Sequence, residues 1–138
     1  MDAGIEPADP MKSFFRYWLP VIALCVIIFW QSSYASPDIL PRWPFQDKLL
    51  HGGVYGLLAA LWVRAFNTLK GFHGRRRLLL LTGIVLATLY GLSDEWHQSF
   101  VPSRTADPAD LLADFCGSVV GSWVFIRLAR WPVGPLAR

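Results

Sequence analysis

The segment YWLPVIALCVIIFWQSSYASP, Tyr17 to Pro37, runs for 21 residues without a charged side chain. Wound as an α-helix it spans about 30 Å, the thickness of a bilayer's hydrocarbon core. Three further apolar runs follow: Leu49 to Val63, broken only by His51; Leu78 to Ser93, opening on four leucines; and Phe115 to Ile126, prolonged by Asp110 to Asp114. Each is shorter than the roughly 20 residues of a simple span, so either their ends carry polar groups into the headgroup region or some are buried hairpins, and four spanning helices are the expectation. The expected fold is an all-α, polytopic membrane bundle of four transmembrane helices near 17–31, 48–66, 78–96 and 109–128. A segment 1–16 precedes the membrane domain 17–128, and a tail 129–138 follows it.

Composition agrees. Charged residues make up 17% of the 138 residues and hydrophobic ones 54%, against about 25% charged in a soluble domain; mean hydropathy is +0.36. A disordered chain and a disulfide-rich secreted scaffold are both excluded. Nine of the ten prolines lie outside the apolar cores, where helices can end. Pro20 alone sits inside a span, near its first turn. Cys25 and Cys116 both fall in apolar runs and are expected to be buried structural thiols. Ser33 and Ala35 would suit a signal-peptide cleavage site. The acids Asp2, Glu6 and Asp9 beside only Lys12 and Arg16, and the length of the apolar run, favour a retained helix instead.

Charge sorting orients the bundle. Lys12, Arg16, Arg64, Lys70, Arg75, Arg76, Arg77, Arg127, Arg130 and Arg138 fall on one side, which makes ten of the thirteen basic residues. Arg42, Lys48 and Arg104 fall on the other. The positive-inside rule makes the first side cytoplasmic, with both termini inside. Seven of the ten acids sort outward: Asp38, Asp47, Asp94, Glu95, Asp107, Asp110 and Asp114. The Arg75-Arg76-Arg77 run reads as a topology anchor against anionic membrane lipids, and nucleic acid is not an expected partner despite the net charge of +3.

The outward acids are the chemical signal. Asp47 can flank the second helix, and Asp107-Pro108 reads as an N-cap followed by proline at the first helical position. Asp94 and Glu95 resist that explanation, because they sit at the C-terminal, negative end of their helix. They call for cationic or donor partners, with Lys48, Arg104, His51 and His97 as candidates. Asp110 and Asp114 share a helix face four residues apart. Their repulsion asks for a proton or a cation between them. Lys48, His51 and Tyr55 form one stripe at i, i+3 and i+7. Gly117 and Gly121 form a G-x-x-x-G pair that permits close helix approach and would press Asp114 against a neighbour.

The order of these residues resembles the VanZ-like family. Asp47-Lys48-Leu49-Leu50-His51, with Tyr55 one turn on, is similar to its first motif. Asp94-Glu95-Trp96-His97-Gln98 resembles its D-E-x-x-Q motif, and Phe100-Val101-Pro102-Ser103-Arg104 its F-x-P-x-R element. Asp107, Asp110, Gly117 and Gly121 match its closing D-x-x-D…G pattern. The similarity covers about Gln31 to Val124. Asp114 departs from it, standing where the family often has Asn, and Ser103 stands where Gly is common. The resemblance implies a small multi-pass protein of a bacterial inner or plasma membrane. The family is named for a component associated with teicoplanin resistance, which supplies a phenotype class and no reaction.

Three functions fit the outward pocket of Lys48, His51, Tyr55, Asp94, Glu95, Gln98, Arg104, Asp107, Asp110 and Asp114. The first is a membrane hydrolase or transferase acting on a cell-envelope or lipid-linked precursor. In it, Glu95 or Asp94 is the acid or base, His51 shuttles a proton or orients the substrate, and Lys48 and Arg104 hold an anionic group. No cofactor is required. A divalent metal on Asp94, Glu95, His97, Asp110 and Asp114 is a variant of this reading. The second is a non-catalytic binder of an envelope component or glycopeptide. The third is a structural ion-pair network or an ion path, for which four helices would call for a homo-oligomer.

Overall fold

The computed structural model describes residues 9–34, 45–102 and 104–129. Asp2, Glu6, Asp38, Arg42, Ser103, Arg130, Arg138, and Ala35 of the cleavage motif lie outside the described residues, as does nearly all of the 129–138 tail. Among the described residues the chain is all-helical. Four helices are long and apolar enough to cross a membrane: α1 (Pro10–Ser32), α2 (Gln46–Phe66), α3 (Arg76–Gln98) and α4 (Pro108–Leu128).

Local chemistry sets the helix starts. Asp9 caps α1 by accepting from the Met11 N–H at 2.9 Å, with Pro10 in the first turn. Asp107 caps α4 by accepting from the Ala109 N–H at 2.8 Å, with Pro108 behind it. Both use the helix-start pairing of an acceptor side chain and a proline whose missing N–H costs nothing there. Within α1, Phe14–Trp18 widens to a π turn. It leads into Pro20, which cannot donate to the Arg16 carbonyl and whose ring would crowd that carbonyl in a regular α-helix.

The packing is inside-out relative to a soluble bundle. Asp94, Glu95, Asp110, Asp114, Ser118 and Ser122 are buried, while Leu57, Leu81, Val85, Leu89, Val120 and Trp123 are exposed. Hydrocarbon solvates the outward leucines, so the helices associate instead through small residues and polar contacts. Gly52 and Gly56 of α2 face Gly117 and Gly121 of α4. A Cβ on Gly117 or Gly121 would run into the backbone of Gly52 or Gly56, and one on Gly56 would lie 2.9 Å from the Gly117 carbonyl oxygen. The two helices run parallel in near-backbone contact. The α4 half of this crossing is the expected G-x-x-x-G; its α2 counterpart is equally present in the sequence as Gly52 and Gly56.

The third helix joins by the same means. Gly83 lies against Val63, Ser122 and Ala59, and Gly91 lies against the Asp114 side chain. α1 packs more loosely on α2 and α3 through Val21 and Ile28, which join Tyr55, Leu58, Ala59, Ala65 and Ala87 in the apolar core. The expectation of two buried thiols is corrected here. Cys25 is half-buried, Cys116 is exposed on the outer face of α4, and both are free. An apolar run marks burial away from water, and lipid meets that requirement as well as the bundle interior does.

Candidate functional site

Parallel α2 and α4 bring their N-termini to one end of the bundle, where α3 ends. Two positive helix ends therefore meet the acids gathered there. Lys48, on the first turn of α2, reaches across to α4. Its Nζ donates to Asp107 Oδ2 at 2.6 Å and to Asp110 Oδ1, and lies 3.6 Å from Asp47 Oδ2. One ammonium thus serves three carboxylates. Asp107 is both cap and ion-pair partner. The Lys48 hydrogen bond, followed by the Ala109 N–H, holds its carboxyl below the usual carboxylate range.

One turn deeper, His51 Nδ1 lies 2.9 Å from Asp114 Oδ1. The Asp114 side chain is almost wholly enclosed. Gly91 makes this possible, since a Cβ there would come within 2.6 Å of Asp114 Oδ2. Ser118 Oγ donates to the Asp114 carbonyl at 2.7 Å. Deeper again, the Tyr55 hydroxyl donates to Asp94 Oδ2 at 3.2 Å, and Gln98 Nε2 donates to the same oxygen at 3.0 Å. The His51 and Tyr55 rings are stacked 6.1 Å apart. Each residue of the Lys48–His51–Tyr55 stripe meets a different carboxylate.

The partners expected for Asp94 and Glu95 are cations or other donors, with Lys48, Arg104, His51 and His97 as candidates; the donors found are neutral groups outside that set. Asp94 is met by Tyr55 and Gln98. Glu95 accepts through Oε2 from the Asp107 backbone N–H at 2.9 Å. Uncharged donors suit a carboxylate at a helix C-terminus, because they bring no ammonium or guanidinium that must itself be desolvated. Glu95 Oε1 and Asp114 Oδ2 are buried with no hydrogen-bond partner among the described residues.

Two predicted members of the constellation stand apart. Arg104 turns toward the end of α1, donating through Nε to the Tyr34 carbonyl at 3.0 Å and through Nη2 to the Gln31 carbonyl at 3.3 Å. It ties down carbonyls at that helix end, the Gln31 carbonyl also accepting from the Tyr34 N–H. His97 faces the same helix. Its Nε2 lies 3.1 Å from Ser33 Oγ, and its ring lies 4.6 Å from that of Phe29. With Phe29, Tyr90, Ser93, Asp94, Trp96 and Phe100 it lines a cleft of ≈ 280 Å³ between α1 and α3. This cleft is absent from the sequence reading. Its signal lay in the i, i+3, i+4, i+7 spacing of Tyr90, Ser93, Asp94 and His97, which puts them on one face.

The VanZ/LLP1 family profile matches residues 15–130 of this chain. The chain belongs to the VanZ/LLP1 family. It is also 33% identical to an uncharacterized protein of Schizosaccharomyces pombe over 98 residues, which is 70% of this chain and 57% of that relative. The chain thus spans little more than half the length of the relative. No solved structure matches. In this VanZ/LLP1 member three of the four motifs meet at one place. The first motif supplies Lys48, His51 and Tyr55; the second supplies Asp94, Glu95 and Gln98; the last supplies Asp107, Asp110 and the glycine crossing. The third, through Arg104, ties the site to α1.

Proposed function

We propose that this VanZ/LLP1 protein is a multi-pass cell-membrane enzyme, a hydrolase or transferase acting on a lipid-linked or cell-envelope precursor at the outer face. The charge sorting of the sequence supports that orientation, with both termini cytoplasmic. The observation that carries the reading is the meeting of His51, Glu95 and Asp114 at the end of an apolar bundle, their candidate ligand atoms all within 4.8 Å of one another. A histidine oriented by a carboxylate, beside a second carboxylate with an uncommitted oxygen, can take and return a proton. Glu95 is the general base, and the Asp114-held His51 relays the proton or orients the reacting group. Asp94 lines the α1–α3 cleft while bonded to Tyr55 and Gln98, so it links the polar cluster to an aromatic track suited to a lipid tail.

Anion recognition takes a revised form in this reading. Lys48 is already shared among carboxylates, and Arg104 is anchored on carbonyls. A phosphate or carboxylate of the substrate would therefore bind by exchange with these contacts. A non-catalytic binder of a glycopeptide is the second reading, favoured by the hydrogen bonds that already hold Asp94 and Asp107 in place.

Glu95→Gln separates the two. With purified protein in bilayer discs and a lipid-linked precursor, the wild type turns over, and the variant is slower by about 10²–10⁴-fold. Equal product formation by the two proteins removes Glu95 as the base. In a teicoplanin-sensitive host with matched membrane levels, protection by the wild type alone supports the enzyme. Equal protection by both supports the binder.

A further inference from the structure

Glu95 and Asp114 are 6% and 0% exposed. Each uses one carboxylate oxygen and keeps another, Oε1 and Oδ2, buried with no partner among the described residues. Asp114 Oδ2 lies against α3 at Gly91. Glu95 is four residues further on the same face of α3, so the two uncommitted carboxylates stand one helical turn apart. His51 closes the group from α2. The local charge does not balance. Lys48 is spent on Asp107 and Asp110 and sits beside Asp47. His51 can supply at most one positive charge to Glu95 and Asp114. Uncompensated anions at this depth are expensive.

We propose that His51, Glu95 and Asp114 form a three-ligand site for a divalent first-row transition cation of the Zn²⁺ or Mn²⁺ class. One imidazole nitrogen with two carboxylates is a borderline donor set, better matched to these ions than to Ca²⁺ or Mg²⁺. The candidate ligand atoms of the three residues already lie within 4.8 Å of one another, with the His51 Nδ1 to Asp114 Oδ1 contact at hydrogen-bond distance, 2.9 Å, so small side-chain shifts would bring all three to about 2.0–2.2 Å from one ion. In that state His51 Nδ1 carries no proton, and its lone pair faces the metal in place of the hydrogen bond to Asp114. Three protein ligands leave positions open for water or a substrate oxygen. The alternative triple of Asp47, His51 and Asp110 is weaker, because both of its carboxylates already face Lys48. His97 and Asp94, expected as ligands from the sequence, have other partners.

This inference rests on the enzymatic reading and shares its site, but an ion there would take Glu95 and His51 as ligands in place of their base and relay roles, and its test reads binding. The full-length protein in bilayer discs is stripped with chelator, re-equilibrated with Zn²⁺ or with Mn²⁺ alone, desalted, and analysed for metal. One ion per chain is expected, with affinity falling at least about tenfold in Glu95→Gln and in Asp114→Asn. Uptake far below one ion, or undiminished uptake by either folded variant, overturns the site. Should a variant fail to fold, the wild type decides. Mn²⁺ bound to it must show nitrogen hyperfine coupling that His51→Gln abolishes, and a purely oxygen-ligated signal overturns the assignment. Turnover by metal-free protein removes the ion and leaves the acid–base reading. One bound ion without turnover on any precursor keeps the ion and removes the enzymatic reading.

Discussion

The two ends of the bundle are built from the same four helices and solve opposite problems. At the end holding the start of α2, buried carboxylates face one lysine, one histidine and a few neutral donors. At the other end Trp18, Trp62 and Phe66 meet at ring separations of 5.4 to 6.4 Å. There Arg64 lies 4.9 Å above the Tyr17 ring. That end is assembled from aromatic edges and a snorkelling cation, which need no charge compensation inside the membrane. The first end concentrates buried charge that stability alone does not require. Under the proposed function that expense inside the membrane belongs to a working site.

The sharpest break of this comparison goes through the glycine crossing on which the polar end rests. Gly121→Ala puts a methyl into the Gly56 backbone and should destabilise the protein by about 2–3 kcal/mol. Gly53→Ala, on the open side of the same crossing helix with nothing within 4 Å, should be neutral or stabilising by up to about 1 kcal/mol. Thermal unfolding in detergent distinguishes them, and equal midpoints would remove the crossing as the organising contact.

Next in size is Lys48→Met. It leaves Asp107 and Asp110 without their ammonium. Complete loss of one partner of a buried pair costs about 3–5 kcal/mol; with the Lys48 side chain 27% exposed, about 1–3 is expected. Arg64→Gln, the matching loss of a cation at the aromatic end, should cost about 0.5–1 kcal/mol. A larger effect at Arg64 than at Lys48 would reverse the comparison.

The smallest effect is a titration. Asp107 has its carboxyl lowered in the folded chain by Lys48. Its contribution to stability is complete above the ordinary Asp value of about 3.9 and is lost as pH falls through the lower native value. Acid unfolding followed by tryptophan fluorescence should therefore lose its low-pH component in Asp107→Asn. An unchanged acid limb would mean that the Lys48 contact leaves that titration untouched.

Much of this was legible in the chain. The spans followed from apolar length, the start of α4 from Asp107-Pro108, and the close approach at Gly117 and Gly121 from their spacing. The stripe of Lys48, His51 and Tyr55 pointed to one polar face. Other features were illegible because they depend on two helices at once. Arg104 turned to carbonyls of α1, His97 joined an aromatic cleft, and Cys116 met the outer surface, since one apolar run reads the same whether protein or lipid covers it.

The sequence by itself determined how many helices span, where polar groups enter them, and which residues share a face, because these depend on rise and periodicity within one helix. Only the tertiary structure decided that Asp94 meets Tyr55, that Glu95 meets the Asp107 backbone, and that Asp114 meets His51 while Glu95 and Asp114 each keep an oxygen uncommitted. Those pairings depend on the register and rotation between helices. Backbone contact between Gly52–Gly56 and Gly117–Gly121 sets them, and no periodicity within a single helix encodes them.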